Sequence, residues 1–278
     1  MNLLFVPSVK AEDVQKPYFV VKPNGCGLLA EMGIVIALLD YYEDKWAQDS
    51  SGLTVDFGKE GLYYDAKRGS NFWEYYFEPI VIGDKAKGTV RPFTSTEYQN
   101  AFHYGGRMSY ERANAIIRKY IHVKPFIQKK VDDFYKLHFE GRVILGVHYR
   151  GTDKSTEAPR LSYETVYEAV AKEIHLRKKD ISRLYLFVAS DEQAFIEFME
   201  KKFPGRVLKT SISRSTDGQP LHLKSTTPFE TGEGALIDCL LLSRCNFLVR
   251  TASNLSHFSK AFNPKLKWKN LHQGERAW

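Results

Sequence analysis

The chain has 278 residues, of which 43% are hydrophobic and 26% charged, with a formal net charge of +7. This composition suits a globular protein of one large domain or two ordinary ones and excludes a disordered or fibrous chain. The positive excess is spread along the sequence, which favours anionic ligands such as nucleotide phosphates and carries no nucleic-acid signature.

Met1 to Pro7 shows no charged leader, and the longest apolar run, Gly33 to Leu39, is too short to span a bilayer. The expectation is a chain without signal peptide or membrane span, cytoplasmic or delivered to a host by another route. Residues 18–21 form a short strand leading into Lys22-Pro23-Asn24-Gly25-Cys26-Gly27. Leu28, Leu29, Met32, Ile36 and Leu39 then recur at helical spacing. A strand, a glycine turn and a helix suit either an ordinary turn or a phosphate approach, with Gly25 and Gly27 letting backbone amides come close. Cys26, Cys239 and Cys245 lack Cys-x-x-Cys spacing and read as reduced thiols.

From Asp40 to about His103 the sequence is aromatic and irregular. Its rings, among them Tyr63, Tyr64, Phe72, Trp73, Tyr75, Tyr76 and Phe77, suit either a sugar cleft or, slightly better, a core poor in aliphatics. Ser109 to Phe139 reads as helix, with Ser109 as N-cap and a break at Pro125. A domain boundary is placed near residue 140.

The second half alternates strand and helix. Val143 to Val147 is a buried strand that runs into a loop of ionisable residues, His148 to Glu157. A helix over 163–176 is capped by Ser162, and Arg183 to Ala189 is a strand running into Ser190-Asp191-Glu192. A further helix to about Phe203 and a short strand, Arg206 to Leu208, follow. Residues 210–232 are polar and without period, a long loop suited to a lid. Gly234 to Arg244 is an apolar helix with one acid, Asp238. Asn246 to Val249 is a strand that passes through Arg250-Thr251-Ala252-Ser253-Asn254 into a last helix. The pattern predicts an α/β fold with a doubly wound parallel sheet in the C-terminal half.

Ligands of such sheets sit beyond the carboxyl ends of the strands. His148 and Arg150 fall on one strand face, and Arg150 offers a planar fork for a phosphate. Ser253 and Asn254 stand where a helix N-terminus receives anions. Asp238 needs a partner inside its apolar helix, either a ligand N–H edge, Arg244 or another structural group. The histidines show no metal spacing.

Gly146-Val147-His148-Tyr149-Arg150-Gly151-Thr152-Asp153-Lys154-Ser155-Thr156-Glu157-Ala158 resembles the first motif of the α1,6-fucosyltransferases. Ala189 to Glu192 resembles their second motif, and Ala235 to Ser243 with Ser253-Asn254 their third. Asn24-Gly25-Cys26-Gly27 echoes their N-terminal glycine turn. The resemblance implies a GT-B-like pair of Rossmann-type domains: an acceptor-side domain, 1–140, and a GDP-sugar-binding domain, 141–278. It also implies GDP-fucose as donor, inversion at the anomeric carbon, no required metal or other cofactor, and a carbohydrate or glycosylated acceptor.

Carried over residue by residue, Arg150 holds the departing β-phosphate. His148 and Asp238 address the guanosine, while Asp191, Ser253, Asn254, Gly25 and Gly27 complete the donor site. Glu157, helped by Asp153 and Lys154, is the candidate base, although the segment from Lys154 to Glu157 is one residue shorter than in the eukaryotic core enzymes. The alternatives are another GDP-sugar, a non-catalytic nucleotide or carbohydrate binder, and a phosphohydrolase with His148 as nucleophile. The last is disfavoured because such enzymes want Arg-His-Gly, whereas this loop has His-Tyr-Arg.

Overall fold

The computed structural model describes residues 15–152, 160–218 and 226–272, apart from residues 60, 107, 178 and 180. Two sheets organise it. The first has the order β3-β2-β1-β4, built from β1 (Pro17–Val21), β2 (Gly52–Val55), β3 (Val81–Gly83) and β4 (Thr89–Pro92). Strand β1 pairs in parallel with β2 and β4, and β3 is an antiparallel edge. The second sheet, order β7-β6-β5-β8-β9, is parallel throughout. Its strands are β5 (Val143–Tyr149), β6 (Leu184–Ser190), β7 (Val207–Leu208), β8 (Phe247–Arg250) and β9 (Lys267–Asn270).

The helices are α1 (Leu28–Tyr41), α2 (Ser95–Gly105), α3 (Tyr110–Tyr120), α4 (Pro125–His138), α5 (Tyr163–Leu176), α6 (Gln193–Lys202), α7 (Pro228–Ser243) and α8 (Asn254–Phe262). Ser109 and Ser162 cap α3 and α5, each accepting a backbone N–H at 3.1 Å. Pro125 opens α4, where its missing N–H costs nothing. No helix among the described residues is long and apolar enough to cross a membrane.

Strand alternation sorts the second sheet's side chains onto two faces. Leu145, Val147, Tyr149, Leu186, Val188 and Val249 pack in one cluster with Val166 and Val170 of α5 and Phe195, Ile196 and Met199 of α6. Ile144, Phe187, Ala189 and Leu248 belong to a second cluster that runs through α4, α7 and α1 to Phe19 and Leu53 of the first sheet. With helices on both faces, the parallel sheet is doubly wound as the alternating pattern predicts.

Two expectations are corrected. The region from Asp40 to His103 is not irregular: it holds β2, β3, β4 and α2, whose strands are four residues or fewer and so too short to show an alternation. The polar stretch 210–232 is helical from Pro228, six residues before the expected start at Gly234. Pro228 at the first helical position and tertiary contact account for this. Phe229 stacks on Tyr76 at 5.5 Å between ring centroids, and the Arg68 guanidinium lies 3.4 Å from the centre of the Phe229 ring.

The aromatic stretch is therefore mainly core, with Phe72, Trp73, Tyr76 and Phe77 buried. It clasps the first turns of α7. A Cβ on Gly232 would fall 2.4 Å from the Tyr76 hydroxyl and 2.9 Å from the Tyr63 ring. Gly232→Ala is expected to cost about 1–3 kcal/mol through overpacking, read as a lower urea midpoint. Unchanged stability would show that the clasp is loose.

Candidate functional site

In the second sheet, β5 pairs with β6 on one side and β8 on the other. Connections leave β5 in one direction through α5 and return to its opposite side through α7, so the strand order reverses between β5 and β8. A crevice opens at such a switch point, beyond the carboxyl ends of the strands. The cleft found there has a volume of about 890 Å³, and His148, Arg150, Ser190, Asp191, Asp238 and Ser253 line it. The alternation that points Tyr149 toward α5 turns His148 toward α7, where it is buried. Arg150 is the first residue past β5, and its backbone N–H donates to Thr251 Oγ1 of the β8 end at 2.9 Å. The two central strand ends are thus tied together at the floor of the cleft.

Asp191, at the end of β6, fixes the turn after Arg150. Its Oδ1 accepts from Gly151 N at 3.0 Å, and its Oδ2 from Thr152 Oγ1 at 2.6 Å and Thr152 N at 3.4 Å. Oδ2 also meets Arg150 Nε at 3.2 Å. With this many donors on one carboxylate, Asp191 orients Arg150 and its loop rather than presenting itself to a ligand. Glu192 does the same for the far side of the loop. Its buried carboxylate accepts from Arg160 Nη2 at 2.8 Å and from the Tyr163 hydroxyl at 2.7 Å. A Cβ on Gly151 would lie 2.3 Å from that carboxyl carbon, so a side chain there would displace the Glu192 carboxylate from Arg160 and Tyr163.

Asp238 is 2% exposed, yet it reaches the cleft from the middle of α7. Its Oδ1 accepts from Thr210 Oγ1 at 2.7 Å. Burial lifts its carboxyl to about 6, against the pull of Arg214 and the Thr210 hydrogen bond. Arg244 is not its partner, because that guanidinium binds Asp132 at 2.6 Å. Its hydrogen-bond partner is Thr210, from the loop after β7, and the charge of Arg214 in the same loop acts on it.

Ser253 caps α8 and accepts from Leu255 N at 3.3 Å. Asn254 is exposed and outside the cleft lining. Gly25 and Gly27 also lie outside it. The amides flanking Gly25 are already taken, since Asn24 N and Cys26 N donate to the buried Glu31 carboxylate at 2.9 and 3.0 Å. The glycine turn reaches the cleft through Tyr63, whose hydroxyl accepts from Leu28 N at 3.0 Å. Asp153, Lys154 and Glu157 fall outside the described residues. Among those residues, no three His, Cys, Asp or Glu side chains gather as metal ligands.

Sequence reasoning missed Thr210, Arg214 and the Lys130–Glu233 pair at 2.7 Å. Thr210 and Arg214 sit in a stretch without period, and Lys130 looks like one of many solvated helix lysines. Of the missed residues, Glu233 alone carried a signal, being an acid one position before the apolar face of α7.

The model of the nodulation protein Z family matches residues 108–276. Nodulation protein Z of Bradyrhizobium diazoefficiens is 26% identical over 166 residues, covering 56% of this chain and 44% of that protein. The Azorhizobium caulinodans protein of the same name is 28% identical over 136 residues, covering 46% of this chain and 40% of its own length. The chain therefore matches less than half the length of either relative. Among solved structures, the NodZ α-1,6-fucosyltransferase co-crystallised with GDP superposes with a TM-score of 0.59 at 18% identity, covering 88% of this chain and 92% of that one. A mutant of Arabidopsis thaliana FUT1 in complex with GDP gives 0.55 at 13% identity, covering 96% and 73%. At these identities the likeness shows the fold, a GT-B-like pair of α/β units.

The raised Asp238 carboxyl has a consequence for stability. Unfolded, an aspartate titrates near about 4, so between roughly pH 4 and pH 6 the native state holds the extra proton and stability falls as pH rises. Asp238→Asn keeps the shape and removes the titration. The variant is expected to gain on the wild type by on the order of 2 kcal/mol from pH 4 to pH 7, measured by urea unfolding. Parallel pH profiles for the two proteins would contradict the assignment.

Proposed function

The chain belongs to the nodulation protein Z family, and from that premise we propose that it is an inverting glycosyltransferase moving fucose from GDP-fucose to a hydroxyl of a glycan or other acceptor. Residues 141–278 then form the donor side and residues 1–140 the acceptor side. The observation that carries this reading is Arg150, held by Asp191 and Thr251 at the switch-point cleft. Its guanidinium is a fixed cation where a diphosphate would lie, beside the N-terminus of α8 capped by Ser253.

In the transfer, the acceptor oxygen bonds to the anomeric carbon as the bond to the β-phosphate oxygen breaks. The electron pair leaves with GDP, and Arg150 offsets the charge that develops there. The acceptor proton passes to a base opposite the leaving group, the role that the family resemblance gives to Glu157 with Asp153 and Lys154 nearby. His148 and Asp238 address the guanosine. Among the described residues, Asp238 Oδ2 takes no hydrogen bond, so an ionised Asp238 has an acceptor to offer the N1–H and N2–H edge of a guanine.

Release of GDP from GDP-fucose in the presence of a mixed glycan acceptor tests the reading. Arg150→Ala is expected to lower turnover about 10²–10³-fold with the fold intact by circular dichroism. Full turnover in that variant would remove the leaving-group role, and nucleotide binding without any turnover in the wild type would make the chain a binder.

Nucleotide choice is tested separately by thermal shift. GDP and GDP-fucose are expected to raise the Tm while UDP-sugars leave it unchanged, and stabilisation by UDP-sugars alone would overturn the donor assignment.

A further inference from the structure

The loop after β7 lines the cleft with residues 210–213 and carries Arg214 directly behind them in sequence. Its Nη1 donates to Ile212 O at 3.1 Å and its Nη2 to Thr210 O at 3.0 Å, with Thr210 Oγ1 3.4 Å away. These bonds curl residues 210–214 around the guanidinium and aim the Thr210 hydroxyl proton at Asp238 Oδ1. Among the described residues, the buried Arg214 Nε has no hydrogen-bond partner. No carboxylate among the described residues forms an ion pair with this guanidinium, and its field reaches Asp238 and Glu200.

The other charged and titratable groups around the cleft are Tyr63 beside the glycine turn, His148 on β5, Lys130 and His138 on α4, Glu230 and Glu233 on α7, and Arg150, Asp191 and Lys209 at strand ends, with Glu230 paired to Arg68 at 3.3 Å. Most of the charged ones are neutralised locally. Lys130 binds Glu233 at 2.7 Å, Lys209 binds Glu200 at 2.7 Å, and Arg150 binds Asp191. Arg214 is the cation whose charge bears on Asp238.

We infer that Arg214 is a positioning residue for nucleotide selection: through Thr210 and its own charge it keeps the Asp238 carboxylate ionised and oriented, so that the cleft accepts a guanine edge at neutral pH. The inference rests on the donor reading above. A protonated Asp238 would present a donor to the two donors of guanine, and binding would be lost. Burial pushes Asp238 toward that neutral form and has already brought it to about 6. Without a neighbouring cation the same burial would carry it higher. Arginine suits the task, because it keeps its proton when buried and has enough N–H groups to shape the loop as well.

The test is calorimetric titration of GDP from pH 5.5 to pH 9 with wild type, Arg214→Lys and Arg214→Gln. Wild type is expected to lose affinity only on the acid side of neutrality. Arg214→Gln is expected to bind about tenfold more weakly at pH 7 and to recover most of the difference by pH 9. Arg214→Lys, which restores the charge, is expected to stay within about threefold of wild type at pH 7. A pH-independent loss in Arg214→Gln would mean that Arg214 only props the loop, and no loss would mean that it plays no part; either outcome overturns the inference. Should Arg214→Gln fold poorly, Thr210→Val removes the hydrogen bond to Asp238 and must move the midpoint the same way. If wild type binds no GDP at any pH, it is the donor assignment that fails.

Discussion

The parallel pairing of β5 with β6 on one side and β8 on the other is the constraint from which the site follows. A strand in that position is buried on both faces and can carry no charge along its length, as Val143 to Val147 shows. Its first chance to present ionisable groups is its carboxyl end, which is where the chains of β5, β6 and β8 emerge together. Arg150, Asp191 and Thr251 then meet without any long-range design beyond the register of three strands. His148 is the exception that faces inward, one residue before the strand ends, and it does so toward α7 rather than α5.

Two carboxylates at the cleft are used in opposite ways. Asp191 is saturated with donors from Arg150, Gly151 and Thr152, so its charge serves to set the direction of a guanidinium. Asp238 is nearly dry, has one hydroxyl donor and sits in an apolar helix, so its charge is held against desolvation. The first kind of carboxylate builds rigidity. The second keeps an unspent acceptor where a ligand arrives, at a cost to stability that well-satisfied acids avoid.

Much of this was legible in the sequence. The alternation of apolar runs with helices disclosed the doubly wound sheet, and the abrupt change from Val147 to a charged loop pointed to the end of the sheet where the cleft opens. Arg150, Asp238 and Ser253 could be named because a guanidinium in a crowd of ionisable residues at a strand end, a lone acid in an apolar helix and a hydroxyl before a helix each carry a physical anomaly. Thr210 and Arg214 carry none, being ordinary polar residues in a polar stretch whose meaning appears only when the chain folds back onto α7. The glycine turn suited two readings that the sequence alone does not separate. Its amides looked available, but Glu31, spaced to return over the turn from the first turn of α1, takes two of them. The early start of α7 was hidden because aromatic packing onto Phe229, rather than helical periodicity, holds its first turns.

The proposed function requires one placement, a guanine nucleotide lying across the ends of β5 and β8 with its phosphates at Arg150 and its base at Asp238. A crystal structure of the protein with GDP tests this most directly. The expected result is a diphosphate within hydrogen-bond distance of Arg150 and of the Ser253 end of α8, with the guanine edge on Asp238. A nucleotide bound elsewhere, or lying in the cleft with its phosphates remote from Arg150, would contradict it.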